Sequence, residues 1–255
     1  MSYLGYRGAD ADTDFGRFFD TEMAPLPAHV VRALEHGPQA GPVLPDSDEP
    51  LGAQGYQQTE NGYGWRRDGG YTVAVRTDMP GVTPVMWDWW FGWHGGDARR
   101  YKLWHPRAHV SARWRDGRDE LAYLGRTSLV QEYLGSEFAR VAIQFVDPAP
   151  LGHAGLTICA RTGSPDVPVD VGWLVHQIRP VDDGAEMRSR FFMGGRHIGL
   201  RSGKSLADKV IKPIAARLLP EPRDLLVHCA QEMNHLAGFL PELYGEFGQP
   251  LSGQL

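Results

Sequence analysis

The run RDLLVHCAQEMNHLAGFLPELYGEF near the C-terminus constrains this chain most, because it reads as one long helix over 222–247 opened by Pro220 and Pro222. Leu225, His228, Glu232, His235 and Phe239 fall on one stripe of that helix. Side chains at i and i+4 lie one above the other, so His228 and Glu232 are stacked on the same face. An inward face carrying His, Glu and His needs compensation, since unpaired buried polar groups are costly. A divalent cation gripped by the imidazole and the carboxylate supplies it; so does an ordinary hydrogen-bond network. Taken alone, such a pair is more often a plain helix pair than half of a metal site. HCAQE does not match the HExxH pattern, which argues against a metalloprotease.

Upstream, the pattern predicts a helix, a set of strands, and this terminal helix. Thr83-Pro84 reads as an N-cap and first-turn pair opening a helix over PVMWDWWFGWHGG. Strand-like runs occur near 70–77, 107–115, 120–134, 138–146, 154–162, 169–179 and 185–194. Asp116-Gly117 and Asp183-Gly184 mark hairpin turns. A further helix is expected over 203–218, and short ones near 13–23 and 27–36, with 37–52 a loop rich in Pro and Gly. Strands followed by a closing helix predict an α+β fold, a curved antiparallel sheet around the terminal helix. Residues 1–60 form a small N-terminal region and 61–250 the main domain.

Composition narrows the function classes. The 255 residues carry 26 basic against 31 acidic side chains, net −5, without a Lys/Arg block, which argues against nucleic acid or an anionic membrane as partner. Cys159 and Cys229 are too few for a disulfide framework, so a cytoplasmic location is expected. No signal peptide or bilayer-spanning run is present. Trp87, Trp89, Trp90, Trp93, Trp104 and Trp114 crowd into 28 residues, suiting an aromatic core or an apolar pocket for a flat ligand. Arg188 and Arg190 alternate on one strand and read as a solvated or ion-paired edge.

The motifs WDWWFGWH, RYKLWHPRAH, GRTSLVQEYLG, AIQFVDP, LVHQIRP, EMRSRFF and HCAQEMNHL, in this order over about 60–245, resemble the diacetylphloroglucinol hydrolase family, which includes phloretin hydrolases. The resemblance implies a helix-grip, Bet v 1-like domain holding zinc, a homodimer made through the N-terminal region, and hydrolysis of the carbon–carbon bond between an acyl group and a polyhydroxylated ring. Its implied metal ligands are His109, Glu132, His228 and Glu232, with His105 beside them and an alternative to His109. Residue by residue, it places Tyr101 on the substrate's ring hydroxyls and His176 near the substrate carbonyl, where an imidazole titrating near working pH is the catalytic candidate for proton transfer or oxyanion stabilisation. Where the family has a second tyrosine contact this chain has Phe191 or Phe192, and Ala112 stands at a polar position. Those departures leave open whether the aryl ketone is diacetylphloroglucinol, phloretin or another. They also motivate the competing readings, a metal-assisted cyclase or lyase of polyketide metabolism and a non-catalytic binder of hydrophobic aromatics. Every one of these residues also has an ordinary reading: a buried histidine is commonly a satisfied core residue, and a tyrosine commonly packs.

Overall fold

The computed structural model describes residues 4–44, 55–149, 156–201 and 208–248. Helix α1 (Ala28–His36) precedes strands β1 (Gly62–Trp65) and β2 (Tyr71–Pro80), then helices α2 (Pro84–Trp93) and α3 (Ala98–Trp104). Strands β3 (His109–Trp114), β4 (Thr127–Leu134), β5 (Glu137–Val146), β6 (Leu156–Gly163), β7 (Val169–Val181), β8 (Gly184–Met193) and β9 (Gly199–Leu200) follow. Helices α4 (Asp208–Ala215) and α5 (Pro222–Phe247) close the chain. The sheet runs β1-β2-β8-β7-β6-β5-β4-β3, with β9 paired to β7, and every pairing is antiparallel. This is the α+β helix-grip architecture, an open sheet rather than a closed barrel.

Helix α5 touches β1 and β2 near one end of the sheet and β4 near the other. Strands lie about 4.8 Å apart, so a flat sheet would hold β2 and β4 about 24 Å from each other, about twice the width of a helix, and contacts of α5 with both fit a sheet that curls around it. The helix turns Leu225, His228, Glu232, His235 and Phe239 inward, all 5–8% exposed. Packing on its other flank comes from α2, where Thr83 Oγ1 accepts from Met86 N–H at 3.3 Å and Pro84 occupies the first turn. Trp87, Trp90 and Leu226 are fully buried in the resulting core. Phe15, Phe18 and Val30, from the N-terminal stretch, join that same core.

Several expectations are corrected. Residues 13–23 contain a short 3-10 turn over Gly16–Phe18 instead of a helix. The strand expected from 120 starts at Thr127, because Arg126 organises the preceding loop: its guanidinium pairs with Asp116 and donates to the carbonyls of Arg118, Glu120 and Ala122. Of the expected helix over 203–218, α4 and a 3-10 turn (Ala216–Leu218) are present, and 203–207 lie outside the described residues, as do 154–155 of the strand expected over 154–162. Helix α3 was not anticipated; Asp97 caps it by accepting from Arg99 N–H at 2.8 Å. Asp182 and Asp183 form the two-residue turn between β7 and β8, while Gly117 sits inside the longer β3–β4 loop.

Arg188 and Arg190 are not solvated. They lie on β8, between β2 and β7, at 1% and 0% exposure, and both pair with Glu60, Arg188 at 2.7 Å. Burial raises the Glu60 carboxyl, but Arg188 and Arg190 outweigh it and hold the group ionised. Removing one partner of a buried pair leaves an uncompensated charge, at about 3–5 kcal/mol. Glu60→Ala should accordingly lower unfolding free energy by about 3–5 kcal/mol in denaturant titration; a change below about 1 kcal/mol would show the arginines to be otherwise satisfied.

Candidate metal centre and cavity

A β-bulge between His109 and Ser111 sets the register so that His109 faces Glu132 directly across β3 and β4. Opposed residues of an antiparallel pair share a face, so imidazole and carboxylate emerge side by side. Along β4, alternation puts Ser128, Val130, Glu132 and Leu134 on that face. Helix α5 brings His228 and Glu232 down onto the pair.

The four groups converge. His109 Nε2 and His228 Nε2 are 3.2 Å apart. Glu132 Oε2 is 3.6 Å from the first and 3.5 Å from the second. Glu232 Oε2 lies 3.5 Å from His109 Nε2 and 3.8 Å from His228 Nε2. His109, Glu132 and His228 form the compact trio, with ligand atoms all within 4.8 Å of one another; Glu232 reaches both imidazoles from outside it. Tetrahedral zinc with bonds of about 2.0–2.1 Å has donor–donor edges of about 3.3–3.4 Å, a value these spacings bracket.

The electrostatics also suit a cation. His109 Nδ1 donates to the Tyr101 carbonyl at 2.8 Å, leaving the Nε2 lone pair directed at the centre. Burial, with His228 and His105 adding to it, holds His109 neutral far below the usual histidine range. His228 is raised: burial opposes its charge, but Glu132 and Glu232 outweigh burial. Glu132 is lowered, since His228 and the Tyr101 hydroxyl overcome burial. Burial pushes Glu232 up to about 8 against the pull of His228, and the charge on Glu132 adds to the rise. Two nitrogens and two carboxylates in a buried setting make a donor set that zinc accepts, as do manganese, iron and cobalt.

The neighbours fall into place around this cluster. Tyr101 stacks on His109 at 3.7 Å between ring centroids and donates its hydroxyl to Glu132 Oε2 at 2.5 Å. His105 stacks on His228 at 4.8 Å, and its Nε2 contacts Gln231 Oε1 at 3.3 Å; it is not in the trio. It caps α3, whereas His109 is the residue that enters the strand. His235 bonds to the backbone of Leu103 and packs against Phe239.

A cavity of about 540 Å³ opens onto the cluster. Tyr101, Glu132, His176, Phe191, His228 and Glu232 all line it. Ala112 is buried opposite Val130, on the face that Val130 presents to the cavity, and its methyl offers no hydrogen bond there. Phe191 does line it, 5.9 Å from the His176 ring. Sequence reasoning missed His94, which lines the cavity, stacks on Trp90 and bonds to the Trp90 carbonyl at 2.8 Å. Its only signal was its place at the end of the tryptophan-rich helix.

A family model, the DAPG hydrolase PhiG domain, matches residues 43–245. The chain belongs to the DAPG hydrolase family. The 2,4-diacetylphloroglucinol hydrolase of Pseudomonas protegens is 30% identical over 277 residues, covering 97% of this chain and 89% of that protein. The phloretin hydrolase of Eubacterium ramulus is 28% identical over 273 residues, covering 95% and 93%. Among solved structures, Ara h 8.0201 has a TM-score of 0.43 at 13% identity, covering 68% of this chain and 99% of that one. CV1439 from Chromobacterium violaceum has 0.40 at 13%, covering 67% and 97%.

In this family member, burial drives His176 down to about 3, so the imidazole is neutral throughout the working range and does not titrate near neutrality. A folded value below the unfolded value of about 6.5 means that, between the two, the unfolded chain binds the extra proton. The stability contribution is complete above pH about 6.5 and is lost as pH falls toward 3. His176→Gln should flatten the acid limb of stability against pH by about 1.4 kcal/mol per unit between pH 6 and 4. An unchanged slope in denaturant titrations would show that His176 titrates normally.

Proposed function

We propose that this protein is a zinc-dependent hydrolase that cleaves the carbon–carbon bond between an acyl group and a polyhydroxylated aromatic ring. The observation that carries the reading is the meeting of His109, Glu132, His228 and Glu232 at the wall of an aromatic-lined cavity. The relatives named for diacetylphloroglucinol and phloretin hydrolysis supply the substrate class. A bound zinc would polarise the ketone and make water acidic enough to attack near neutral pH.

The overall reaction adds water across one bond: the acyl carbon takes the hydroxyl and leaves as a carboxylic acid, and the ring carbon gains hydrogen. An aryl anion is too poor a leaving group. Shifting a ring hydroxyl's proton onto the ring carbon gives the keto tautomer; water then adds to the ketone, the bonding electron pair departs into a stabilised enolate, and the proton given up by the water returns the enolate oxygen to a phenol. Tyr101, kept protonated by burial and by the charge of Glu132, orients a ring hydroxyl beside the carboxylate it already contacts. Neutral His176 cannot act as an imidazolium acid, so its role is a hydrogen bond to the carbonyl oxygen as that oxygen becomes negative. Phe91, Phe145 and Phe191 exclude water from the ring-binding side. Two carboxylates also leave a dication formally neutral, so an anionic phenol can approach without strong attraction or repulsion.

The cavity falls within the usual range for small-molecule sites and is mostly apolar, which suits an aryl ketone with a second ring or a long acyl arm. A cytoplasmic location fits the cysteines, Cys159 and Cys229, which are free and buried. No helix among the described residues is long and apolar enough to cross a membrane. A homodimer through residues 1–60 belongs to the same proposal and rests on the family resemblance.

Protein produced with adequate metal should carry about one zinc per chain and release acetate or an arylpropionate from acylphloroglucinols or phloretin. Glu232→Ala should weaken metal binding at least about 10-fold while retaining the helical circular dichroism of wild type. Full metal content in that variant would remove Glu232 from the ligand set. Metal-loaded protein that cleaves none of these ketones would favour the cyclase or binder reading.

A further inference from the structure

His176 is backed by a hydroxyl on the neighbouring strand. Ser189 on β8 is the register partner of His176 on β7, so both side chains emerge on one face. Ser189 Oγ lies 2.8 Å from His176 Nδ1 and is fully buried. Cys229, on α5 next to His228, hydrogen-bonds to the same hydroxyl. The imidazole is held by Trp87 edge-on at 6.1 Å, Phe91 at 5.8 Å and Phe191 edge-on at 5.9 Å. With Nδ1 committed to Ser189, the opposite side of the ring, carrying Nε2, is the side turned to the lumen that His176 lines.

The hydroxyl has one proton and three acceptors within reach: His176 Nδ1 at 2.8 Å, Met187 Sδ at 4.0 Å and the Cys229 sulfur, and a thiol sulfur is a weak acceptor like a thioether. A thioether is a weak acceptor and an imidazole lone pair a strong one, so the proton belongs to Nδ1. A neutral imidazole that accepts at Nδ1 carries its own proton on Nε2.

We infer that Ser189 is the positioning residue that holds His176 in its Nε2–H form, so that an N–H rather than a lone pair faces the substrate carbonyl. The inference rests on the role given to His176 in the hydrolase reading. The donor is matched to the charge that develops: a carbonyl oxygen turning into an oxyanion gains from an N–H and is repelled by a lone pair. Without Ser189 both tautomers become accessible, and the productive one is only part of the population.

The test uses zinc-loaded protein labelled with 15N-histidine and two-bond 1H–15N correlation spectra, with the His176 signals assigned by their absence in His176→Gln. The wild type should show Nε2 protonated and Nδ1 bare at His176. Ser189→Ala should move His176 toward the other tautomer and lower kcat on an aryl ketone about 10- to 100-fold, with KM within about twofold; losing an oxyanion donor outright costs about 100- to 1,000-fold. An Nδ1–H signal in the wild type would overturn the inference without needing the variant to fold. A Ser189→Ala protein with unchanged tautomer and unchanged kcat would overturn it equally. The tautomer is read without turnover, so failure of the hydrolase reading appears separately, as a wild type that cleaves no aryl ketone.

Discussion

The structure turns on a charge-balance constraint at the junction of β3, β4 and α5. Two carboxylates and two imidazoles meet there almost out of reach of water, with the nitrogens of His109 and His228 3.2 Å apart. Desolvated carboxylates are costly without positive charge beside them, and two imidazole lone pairs cannot both point at one spot without an electrophile between them. A raised His228 and a raised Glu232 meet that demand with protons. A divalent cation meets it with one ion and suits all four donors. The local features follow: the bulge that sets His109 opposite Glu132, the uninterrupted turn of α5 from His228 to Glu232, and the curl that lets one helix reach strands from both ends of the sheet.

Placing that cluster at the wall of an apolar cavity divides the labour. Charge sits at one side, where Tyr101 and Glu132 meet the centre. Across the lumen, aromatic rings confine His176 and keep it neutral. A neutral imidazole has two useful forms that differ only in which nitrogen holds the proton, so the group behind it matters as much as the group in front. Ser189 occupies that rear position. Cys229 follows His228 on α5 and lines the cavity with it.

How much of this was legible in the sequence depends on the range of each interaction. Helix α5 could be read from end to end because its stripe, its proline start and its length are local signals. The same holds for Thr83 and Pro84 at the start of α2. Most strands were placed within a few residues by alternation and turn residues. His109 and Glu132 came from ordered motifs, since nothing local marks a histidine and a glutamate 23 positions apart as neighbours. The ion pairing of Arg188 and Arg190 was one of the alternatives read, but their place at an edge was not right, because alternate arginines look the same on an open edge and on an interior strand; Glu60, 128 residues from Arg188, decides it. The loop before β4 escaped for a similar reason, since Arg126 holds it through carbonyls that composition does not reveal. Ser189 carried no signal at all, because its meaning lies in the cross-strand register with His176.

The central claim is that four side chains from two strands and one helix surround a single cation. Anomalous diffraction on crystals of the metal-loaded protein, measured on both sides of the zinc absorption edge, tests it most directly. The account predicts one peak per chain, bounded by His109, Glu132, His228 and Glu232, that vanishes below the edge. Zinc-loaded crystals with no peak there, or with the ion held by other residues, would contradict it.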